Sequence, residues 1–344
     1  MKRTLSSRLL RQSLACALLL SIPLPAVEAQ STGQSFDSYL AQVGARARSE
    51  GVSPATISRV LTGLTPNPRV IELDSGQPSQ RTTPPATAPY IATHVDAARI
   101  GRGRDRYARD AGSLPSIERR YGVPGPILLA IWGHETNYGS YTGDFDLARS
   151  LATLAWEGRR RTLFENELLA LLKMVDRGVP VSRLKGSWAG AFGNPQFLPS
   201  VYLRLATDGD GDGDADIWSS DADTLASIAN YFRDSGWRPG QPWGVRATVS
   251  SSFSPVGVGA RLAAPTCDRV HARHSRWLTI GEWRRLGVAP LSPIGDDVLA
   301  SFFQPDGPGT SAYLLTGNYR VILQYNCSNY YALSVGLLAD EIAR

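Results

Sequence analysis

Hydrophobic residues recur at helical spacing through most of the chain. In residues 36–64, Leu40, Val43 and Ala47 share one face of the first of two predicted helices. The helical pattern returns at residue 90. Further apolar runs, bounded by start and stop signals, predict helices over residues 114–121, 126–135, 163–175, 224–235 and 330–342.

The pattern changes between these helices. Residues 65–89 are rich in Pro, Thr, Ser and Gln, which predicts an extended segment and not a helix. A glycine-rich stretch covers residues 186–199. Short β-like runs and turns fill residues 240–300, and the aromatic and β-branched run at 319–325 predicts a strand. We therefore expect a mainly α protein with a small β portion (α+β).

The first 29 residues have the pattern of a secretory signal peptide. Four basic residues precede a short apolar run, and Val-Glu-Ala places small residues before Gln30. The run is too short and too interrupted by proline to be a stable membrane span. Cys16 raises the alternative of a lipoprotein, but the apolar run continues beyond it. We expect residues 30–344 to be exported to the periplasm without a membrane span.

Charge argues against nucleic acid as a partner. The complete chain has 36 basic and 31 acidic residues, and removal of the predicted signal leaves 32 and 30. Basic residues do not cluster with interleaved aromatic side chains, as they do in many nucleic-acid-binding surfaces. We expect a monomer without a nucleic-acid partner.

The segment LLAIWGHETNYG contains the strongest candidate for a catalytic group. Glu135 ends an apolar helical turn beside Ile131 and Trp132, and burial against such side chains disfavours a charged carboxylate. A carboxyl group with a raised pKa can act as a general acid near neutral pH. The alternative is an ordinary glutamate at a helix end. A zinc site of the HExxH type is excluded, because Tyr138 stands where the second histidine should be.

Five ordered segments resemble family 3 lytic transglycosylases, the membrane-bound lytic transglycosylase B type. They are YGVPGPILLAIWGHETNYG, SLATLAWEGRRR, SWAGAFGNPQFLPSVYLRLATD, DGDGDGDADIWSSDADTLASIANYFRDSGW and NYRVILQYNCSNYYALSVGLLADEI. The resemblance implies a lysozyme-like catalytic core with flanking helical and small β-containing lobes. The expected boundaries are 30–89 for an amino-terminal helical and extended lobe, 90–239 for the core, and 240–344 for a β-containing lobe with a closing helix.

The resemblance also implies an activity on peptidoglycan glycan strands. Glu135 alone would protonate the β-1,4 bond between N-acetylmuramic acid and N-acetylglucosamine. It would then take a proton from the muramyl 6-hydroxyl, so that a 1,6-anhydro ring closes without water. An ordinary glycosidase uses two carboxylates, and sequence spacing does not place Asp144 or Asp146 opposite Glu135. A muramidase-type hydrolase is therefore the alternative enzyme.

Other side chains match substrate-contacting positions of the family. Amide and hydroxyl groups can bond to sugar hydroxyls and acetamides, and aromatic rings can cover sugar rings. Each tyrosine, taken alone, could instead be a core residue, and Tyr90 is a weaker match. Arg159–Arg161 could meet peptide or lactyl carboxylates or form a solvated helix face. The resemblance assigns substrate contacts to Ser187, Gln196, Tyr231, Tyr325, Asn326 and Tyr331.

An acidic loop, residues 208–223, begins with five alternating aspartates that would repel one another without a cation. Asp208, Asp210 and Asp212 match the first ligand positions of an EF-hand calcium loop, and Gly213 stands sixth. The sequence therefore predicts a calcium site here. A solvated Asp/Gly turn is the alternative.

The later calcium ligands are less regular. Asp214 would contribute its backbone carbonyl, but Ser219 stands at the twelfth position, where an EF-hand has an acid. The resemblance offers Asp223 as the replacement. The ion would be structural, because it would brace the turn before the helix that carries Tyr231. A fold of this kind without catalysis would be a calcium-dependent wall-binding protein, the non-enzyme alternative.

Two cysteines, Cys267 and Cys327, remain after removal of the predicted signal. An oxidising compartment favours a disulfide between them. Separately buried thiols are the alternative, because a bridge requires closely spaced α-carbons. If it forms, the bridge would restrain the segment beside Asn326.

Overall fold

The computed structural model describes residues 33–76, 86–259 and 267–344, and the predicted signal peptide lies outside these ranges. Helices dominate the described residues. They are α1 (Phe36–Ser49), α2 (Pro54–Leu61), α3 (Pro68–Ser75), α4 (Thr87–His94), α5 (Ala97–Arg109), α6 (Leu114–Tyr121), α7 (Gly125–Thr136), α8 (Leu147–Glu157), α9 (Arg161–Asp176), α10 (Pro199–Leu205), α11 (Asp221–Asp234), α12 (Asp268–His271), α13 (Ile280–Arg285), α14 (Gly317–Tyr325) and α15 (Asn329–Ile342). Within the described ranges, none of these helices is both long enough and apolar enough to span a bilayer.

The strands form two antiparallel sheets among the described residues. They are β1 (Phe145–Asp146), β2 (Lys185–Gly186), β3 (Gly244–Val249), β4 (Trp277–Thr279), β5 (Val288–Pro290), β6 (Leu299–Phe303) and β7 (Ala312–Leu315). β1 pairs with β2, and the larger sheet has the order β4-β6-β7-β3-β5. In its centre, Leu315 pairs with Gly244 on one side and Ser301 on the other. The predicted β portion therefore extends to residue 315.

Local signals explain the confirmed helices. α1 and α2 start at Ser35 and Ser53, whose side chains accept backbone N–H bonds from the first turn. α6 ends at Gly122, which has the left-handed conformation that glycine adopts readily. The helices predicted over residues 114–121, 126–135, 163–175, 224–235 and 330–342 are α6, α7, α9, α11 and α15.

The prediction of an extended segment over residues 65–89 is wrong where the structure describes it. α3 begins after Asn67, whose side chain accepts from the Arg69 N–H, and Pro68 occupies its first turn. Proline is favoured there because the N–H that it lacks has no partner inside a helix. Asparagine-proline was therefore a helix start that the composition of the segment concealed. Residues 77–85 lie outside the described ranges.

The prediction of a strand over residues 319–325 is also wrong, because this segment is helix α14. Thr316 caps it by accepting from the Asn318 N–H. Tyr319, Ile322 and Leu323 are buried on one side at helical spacing. A helical period therefore outweighed the strand preference of the β-branched and aromatic residues in this segment.

Three hydrophobic clusters make up the described core. The first joins α6, α7, α11, α14 and α15, and the second joins α1, α8 and α9. A smaller third cluster lies in the larger sheet. Tyr231 and Tyr325 pack against both of the first two clusters, so these two rings lie where the large cores meet. The lobe boundaries expected at 89/90 and 239/240 stay a prediction.

Arg159 and Arg160 both pair with a buried carboxylate of the protein itself. Arg159 Nε and Arg160 Nη2 lie 2.7 and 2.6 Å from the carboxylate of Asp74. Asp74 is buried at the end of α3. These two arginines therefore connect α3 to the segment between α8 and α9.

Candidate active site

Helix α7 is buried on nearly all sides and carries Glu135 in its last turn. The helix ends in a tight turn in which both Asn137 (φ 50°) and Tyr138 (φ 59°) are left-handed. Such a backbone is unfavourable for non-glycine residues and persists only where the surroundings hold it. The Tyr138 hydroxyl donates to the Arg99 carbonyl at 3.1 Å. The chain around Glu135 is thus fixed by tertiary contacts.

The Glu135 carboxyl group is half-buried and has one side-chain partner. Tyr331 donates its hydroxyl proton to Oε1 at 2.5 Å. Burial raises the pKa of Glu135 from 4.5 to about 7, although the Tyr331 hydrogen bond acts in the opposite direction. Loss of hydration penalises the charged form more than one hydroxyl donor favours it. Glu135 can therefore both donate and accept a proton near neutral pH.

Tyrosines, not carboxylates, surround Glu135. The pKa values of Tyr90, Tyr325 and Tyr331 are raised, first by burial and then by the nearby Glu135 charge. Among the described residues, no second carboxylate shifts the pKa of Glu135. A carboxylate at the separation used by retaining glycosidases would raise it further. The electrostatics therefore describe one isolated acid.

Asp144 and Asp146 do not join this acid. Both are exposed around β1, and Asp146 caps α8 by accepting from the Arg149 N–H at 2.8 Å. Neither contributes to the pKa of Glu135. Asp146 is therefore a structural residue of the β1–α8 junction.

His134 and Ser334 position Tyr331, and sequence reasoning missed both. His134 Nε2 lies 2.7 Å from Ser334 Oγ, which also lies 2.9 Å from the Tyr331 carbonyl oxygen. The other imidazole nitrogen, Nδ1, lies 2.9 Å from the Ala130 carbonyl. Burial lowers the pKa of His134 to about 3, so the ring is neutral. The contact joins α7 to α15 beside the Tyr331–Glu135 bond, and two residues this far apart in sequence give no local signal.

Gln196 lies in a strained loop that packs on the end of α7. Its φ is 52°, and its Nε2 donates to the carbonyls of Thr142 and Gly193, both at 3.0 Å. Thr136, directly after Glu135, donates to the Asn194 carbonyl at 3.0 Å. This loop is thereby fixed beside the acid, and the Gln196 Oε1 takes no part in those two bonds.

Ser187 lies beside the same segment, but not in contact with Glu135. Its hydroxyl accepts from the Ala191 N–H at 3.0 Å and closes a tight turn. Gly143 packs on this turn so closely that a Cβ there would lie 2.3 Å from the Gly186 carbonyl carbon. Only glycine permits that approach. Ser187 therefore has a structural hydrogen bond in addition to any contact with substrate.

Tyr231 on α11 lies beside Tyr325 and Asn326 at the end of α14. The Tyr231 and Tyr325 rings meet edge to face, with centroids 4.8 Å apart. Tyr231 donates to the Gln324 carbonyl at 2.8 Å, and Tyr325 donates to the Pro195 carbonyl at 2.5 Å. Asn326 ends α14 and is exposed. Of the predicted residues, Tyr331 and Tyr325 are thus close to Glu135, and Tyr231 packs on Tyr325.

The predicted disulfide is confirmed. Cys267 and Cys327 are bonded, with their α-carbons 5.6 Å apart. Cys327 lies between Asn326 and Ser328, the residue that caps α15. The bridge therefore fixes the turn between α14 and α15 to the segment before α12.

The acidic loop brings three predicted ligands together. Carboxylate oxygens of Asp208, Asp210 and Asp212 lie within 4.8 Å of one another. Oxygen ligands at 2.3–2.6 Å from a calcium ion are at most roughly 5 Å apart, so the donor set fits that ion. Backbone N–H groups of Gly213 and Gly211 hold the pKa of Asp208 below its usual value, which keeps this ligand ionised.

Asp214 and Asp223 lie outside that carboxylate cluster. The Asp214 carboxylate faces Arg183 at 3.5 Å, and the predicted ligand of this residue is its backbone carbonyl. Asp223 is fully buried and accepts from the N–H groups of Gly209 and Asp216, both at 2.7 Å. It therefore closes the loop onto the start of α11, and its role as a ligand stays a prediction.

Comparison with known proteins identifies the family. The family model described as a transglycosylase SLT domain matches residues 35–340. The chain belongs to this family. The resemblance to family 3 lytic transglycosylases is confirmed, and so is the mainly α fold with a lysozyme-like core and a small antiparallel sheet.

Relatives of the family agree in sequence and in structure. Membrane-bound lytic murein transglycosylase B of Escherichia coli (strain K12) is 33% identical over 226 residues, which are 65% of this chain and 58% of that protein. The match thus spans less than two thirds of this relative. SltB3 from Pseudomonas aeruginosa, solved with NAG-anhNAM-pentapeptide, has a TM-score of 0.81 and 38% identity, with 90% of this chain and 80% of SltB3 covered.

A third relative bears on the acidic loop. The Escherichia coli lytic transglycosylase Slt35, solved in complex with calcium, has a TM-score of 0.73 and 26% identity. The comparison covers 89% of this chain and 92% of Slt35. A protein of this fold therefore binds calcium.

Proposed function

We propose that the chain is a lytic murein transglycosylase that cleaves the β-1,4 bond between N-acetylmuramic acid and N-acetylglucosamine in peptidoglycan. The observation that carries the proposal is the Glu135 carboxyl group, with a pKa of about 7, one hydroxyl donor and, in the part of the chain that the structure describes, no carboxylate partner. Family membership and a relative that binds an anhydro-sugar peptide support it.

Glu135 acts first as acid and then as base. Its proton passes to the glycosidic oxygen, the bond to the muramyl anomeric carbon breaks, and N-acetylglucosamine leaves with a free 4-hydroxyl. The muramyl 6-hydroxyl oxygen then bonds to the anomeric carbon, and its proton returns to Glu135. No water is consumed, which agrees with a site that has a single acid. Tyr331 stabilises the carboxylate between the two steps by its hydrogen bond.

The other predicted residues bind and orient the glycan. Gln196 and Asn326 offer amide groups, and Tyr231 and Tyr325 offer rings already fixed by bonds to backbone carbonyls. Ser187 supports the neighbouring turn. Such pre-positioning reduces the entropy lost when the substrate binds.

Calcium would be held by Asp208, Asp210 and Asp212. It would supply positive charge that offsets three neighbouring carboxylates and would brace the entry to α11, without a part in the chemistry. The predicted signal peptide agrees with a substrate outside the inner membrane, and we propose a monomer in the periplasm.

Digestion of purified peptidoglycan, with mass analysis of the released sugar ends, tests the proposal. The expected ends are 1,6-anhydro sugars, each one water lighter than a reducing end. Reducing ends would instead establish a muramidase-type hydrolase. Binding to the wall without cleavage would establish a wall-binding protein.

A further inference from the structure

Arg320 has a half-buried guanidinium group without an anionic partner among the described residues. Its Nε and Nη2 atoms are buried and have no hydrogen-bond acceptor. The group lies over the Trp277 ring, 4.8 Å from the centroid. Burial lowers the pKa of Arg320, and no carboxylate raises it again. Because a buried charge without a counter-charge is costly, an anion would stabilise this arrangement.

Other arginines in the described part of the chain show the contrast. Arg160 bonds to Asp74 at 2.6 Å, and Arg183 bonds to Asp216 at 3.0 Å. Arg106 pairs with Asp221 while it lies over the Trp132 ring. Arg320 likewise lies over a tryptophan ring, but it has no carboxylate partner among the described residues.

Arg320 and Arg238 line one open pocket of about 380 Å³ between the end of α11, α14 and the larger sheet. Trp277, Leu299 and Val321 supply apolar walls, and no acidic residue of the described ranges lines the pocket. Nearby His271 is neutral at pH 7 and adds no charge. Burial, and to a smaller extent the positive charge of Arg320, lower its pKa to about 4. The pocket is therefore positive and partly apolar at neutral pH, as a site for an aliphatic carboxylate should be.

The pocket adjoins the candidate active site through α14. Gln324 lines the pocket, and its carbonyl accepts the bond from the Tyr231 hydroxyl. The next residue, Tyr325, is close enough to Glu135 for the charge of Glu135 to raise its pKa. The pocket and the candidate active site therefore share helix α14, with Gln324 in one and Tyr325 beside the other.

We propose that this pocket binds a carboxylate of the peptide stem that branches from the glycan strand. The inference rests on the proposed function, since peptidoglycan is the substrate that brings such stems. Arg320 and Arg238 both line the pocket, so two guanidinium charges attract a carboxylate there. The apolar walls suit a small aliphatic side chain next to that carboxylate, and inorganic phosphate would leave them uncovered.

Calorimetric titration of the full exported chain carrying Glu135→Gln tests this site without cleavage. The probes are acetyl-D-alanyl-D-alanine, the same dipeptide with a carboxyl-terminal amide, and inorganic phosphate. We expect the free acid to bind and the amide not to bind. Arg320→Met should weaken the binding of the free acid by about 10- to 100-fold, which is the usual effect of losing one charged hydrogen-bond partner.

The matched control is Arg120→Met, because Arg120 also lies over an aromatic ring, that of Tyr121 at 5.3 Å, but outside the pocket. This variant should bind the dipeptide like its parent. If Arg320→Met does not fold, the Trp277 indole resonance of the parent protein should still shift with the acid and not with the amide.

Three outcomes would overturn the inference: no binding of the free acid, equal binding of the amide, or binding of phosphate alone. The result is independent of the wall digestion. Anhydro ends without dipeptide binding would overturn the peptide site alone. Dipeptide binding, together with no wall cleavage by the chain that retains Glu135, would overturn the proposed activity alone.

Discussion

Glu135 and Asp208 carry the same functional group in opposite surroundings. The Glu135 carboxyl lies between apolar helices with one hydroxyl donor, and burial raises its pKa to about 7. The Asp208 carboxylate lies near the surface in a loop where backbone N–H groups from Gly213 and Gly211 lower its pKa. The first group can exchange a proton near neutral pH, and the second stays ionised for a cation. Environment, more than residue type, decides which carboxylate is suited to catalysis.

The largest expected effect is the loss of lytic activity in Glu135→Gln. The amide has nearly the same shape but can neither donate nor accept the required proton, and such groups contribute ~10²–10⁴-fold. Release of soluble fragments from purified wall measures the loss. Glu72→Gln, at an exposed position on α3, should retain full activity. A folded Glu135→Gln protein with more than about a tenth of normal turnover would refute the assignment.

The same substitution should also change how stability depends on pH. The pKa of Glu135 is raised from 4.5 to about 7 in the folded protein, so folding favours the protonated form. Stability from this group is complete below pH 4.5 and is lost as pH rises through 7. Glu135→Gln should therefore be more stable than the parent at pH 8, by ~3 kcal/mol, and equal at pH 4. Equal urea midpoints at both pH values would contradict the raised pKa.

The acidic loop should respond to metal and not to proton exchange near pH 7. A ligand that binds only the native state at a hundredfold excess over its Kd adds ~2.7 kcal/mol. Added calcium should raise the melting temperature, and Asp210→Ala should abolish the rise but keep most activity at low temperature. Asp297→Ala, an exposed acid of the β-containing region, should respond to calcium as the parent does. A parent protein shown to be metal-free whose melting is indifferent to calcium would exclude the site.

A smaller change in activity is expected when the contacts that hold Tyr331 beside Glu135 are weakened. Ser334→Ala removes the hydroxyl between His134 and the Tyr331 backbone. One hydrogen bond contributes about 0.5–1.5 kcal/mol, so kcat should fall roughly 2- to 10-fold. The Tyr331 hydrogen bond lowers the pKa of Glu135. When Tyr331 is less well placed, that pKa rises, so the alkaline limb of the activity profile moves to higher pH. Ser150→Ala, in a buried helical serine without a side-chain partner, is the control, and a Ser334→Ala profile identical to it would deny the positioning role.

The fold was predictable where one local pattern was sufficient. Apolar spacing predicts α6 and α7 closely, and the cysteine pair predicts the bridge between Cys267 and Cys327. The prediction of a strand at residues 319–325 is wrong because strand preference and helical period conflict there. The helix forms because it buries the apolar residues of the segment on one side. Asn67-Pro68 shows that a short start signal can outweigh a loop-like composition.

The sequence predicted the acid of the candidate site but not the residues that hold Tyr331 beside it. The apolar neighbours of Glu135 indicate a raised pKa from sequence alone. The clamp between His134 and Ser334 and the unpaired charge of Arg320 depend on contacts between distant segments. Such contacts follow from the packing of α7, α14 and α15, which no single segment specifies.

Carbon-13 NMR titration of the Glu135 carboxyl, assigned by its absence in Glu135→Gln, tests directly whether Glu135 is a single acid with a raised pKa. A solitary, buried acid should titrate in one step with a midpoint of about 7. A midpoint near 4.5 would show that burial does not hold the proton. Two coupled steps would show that a second carboxylate shares the site, and Glu135 would then not be the only acid and base.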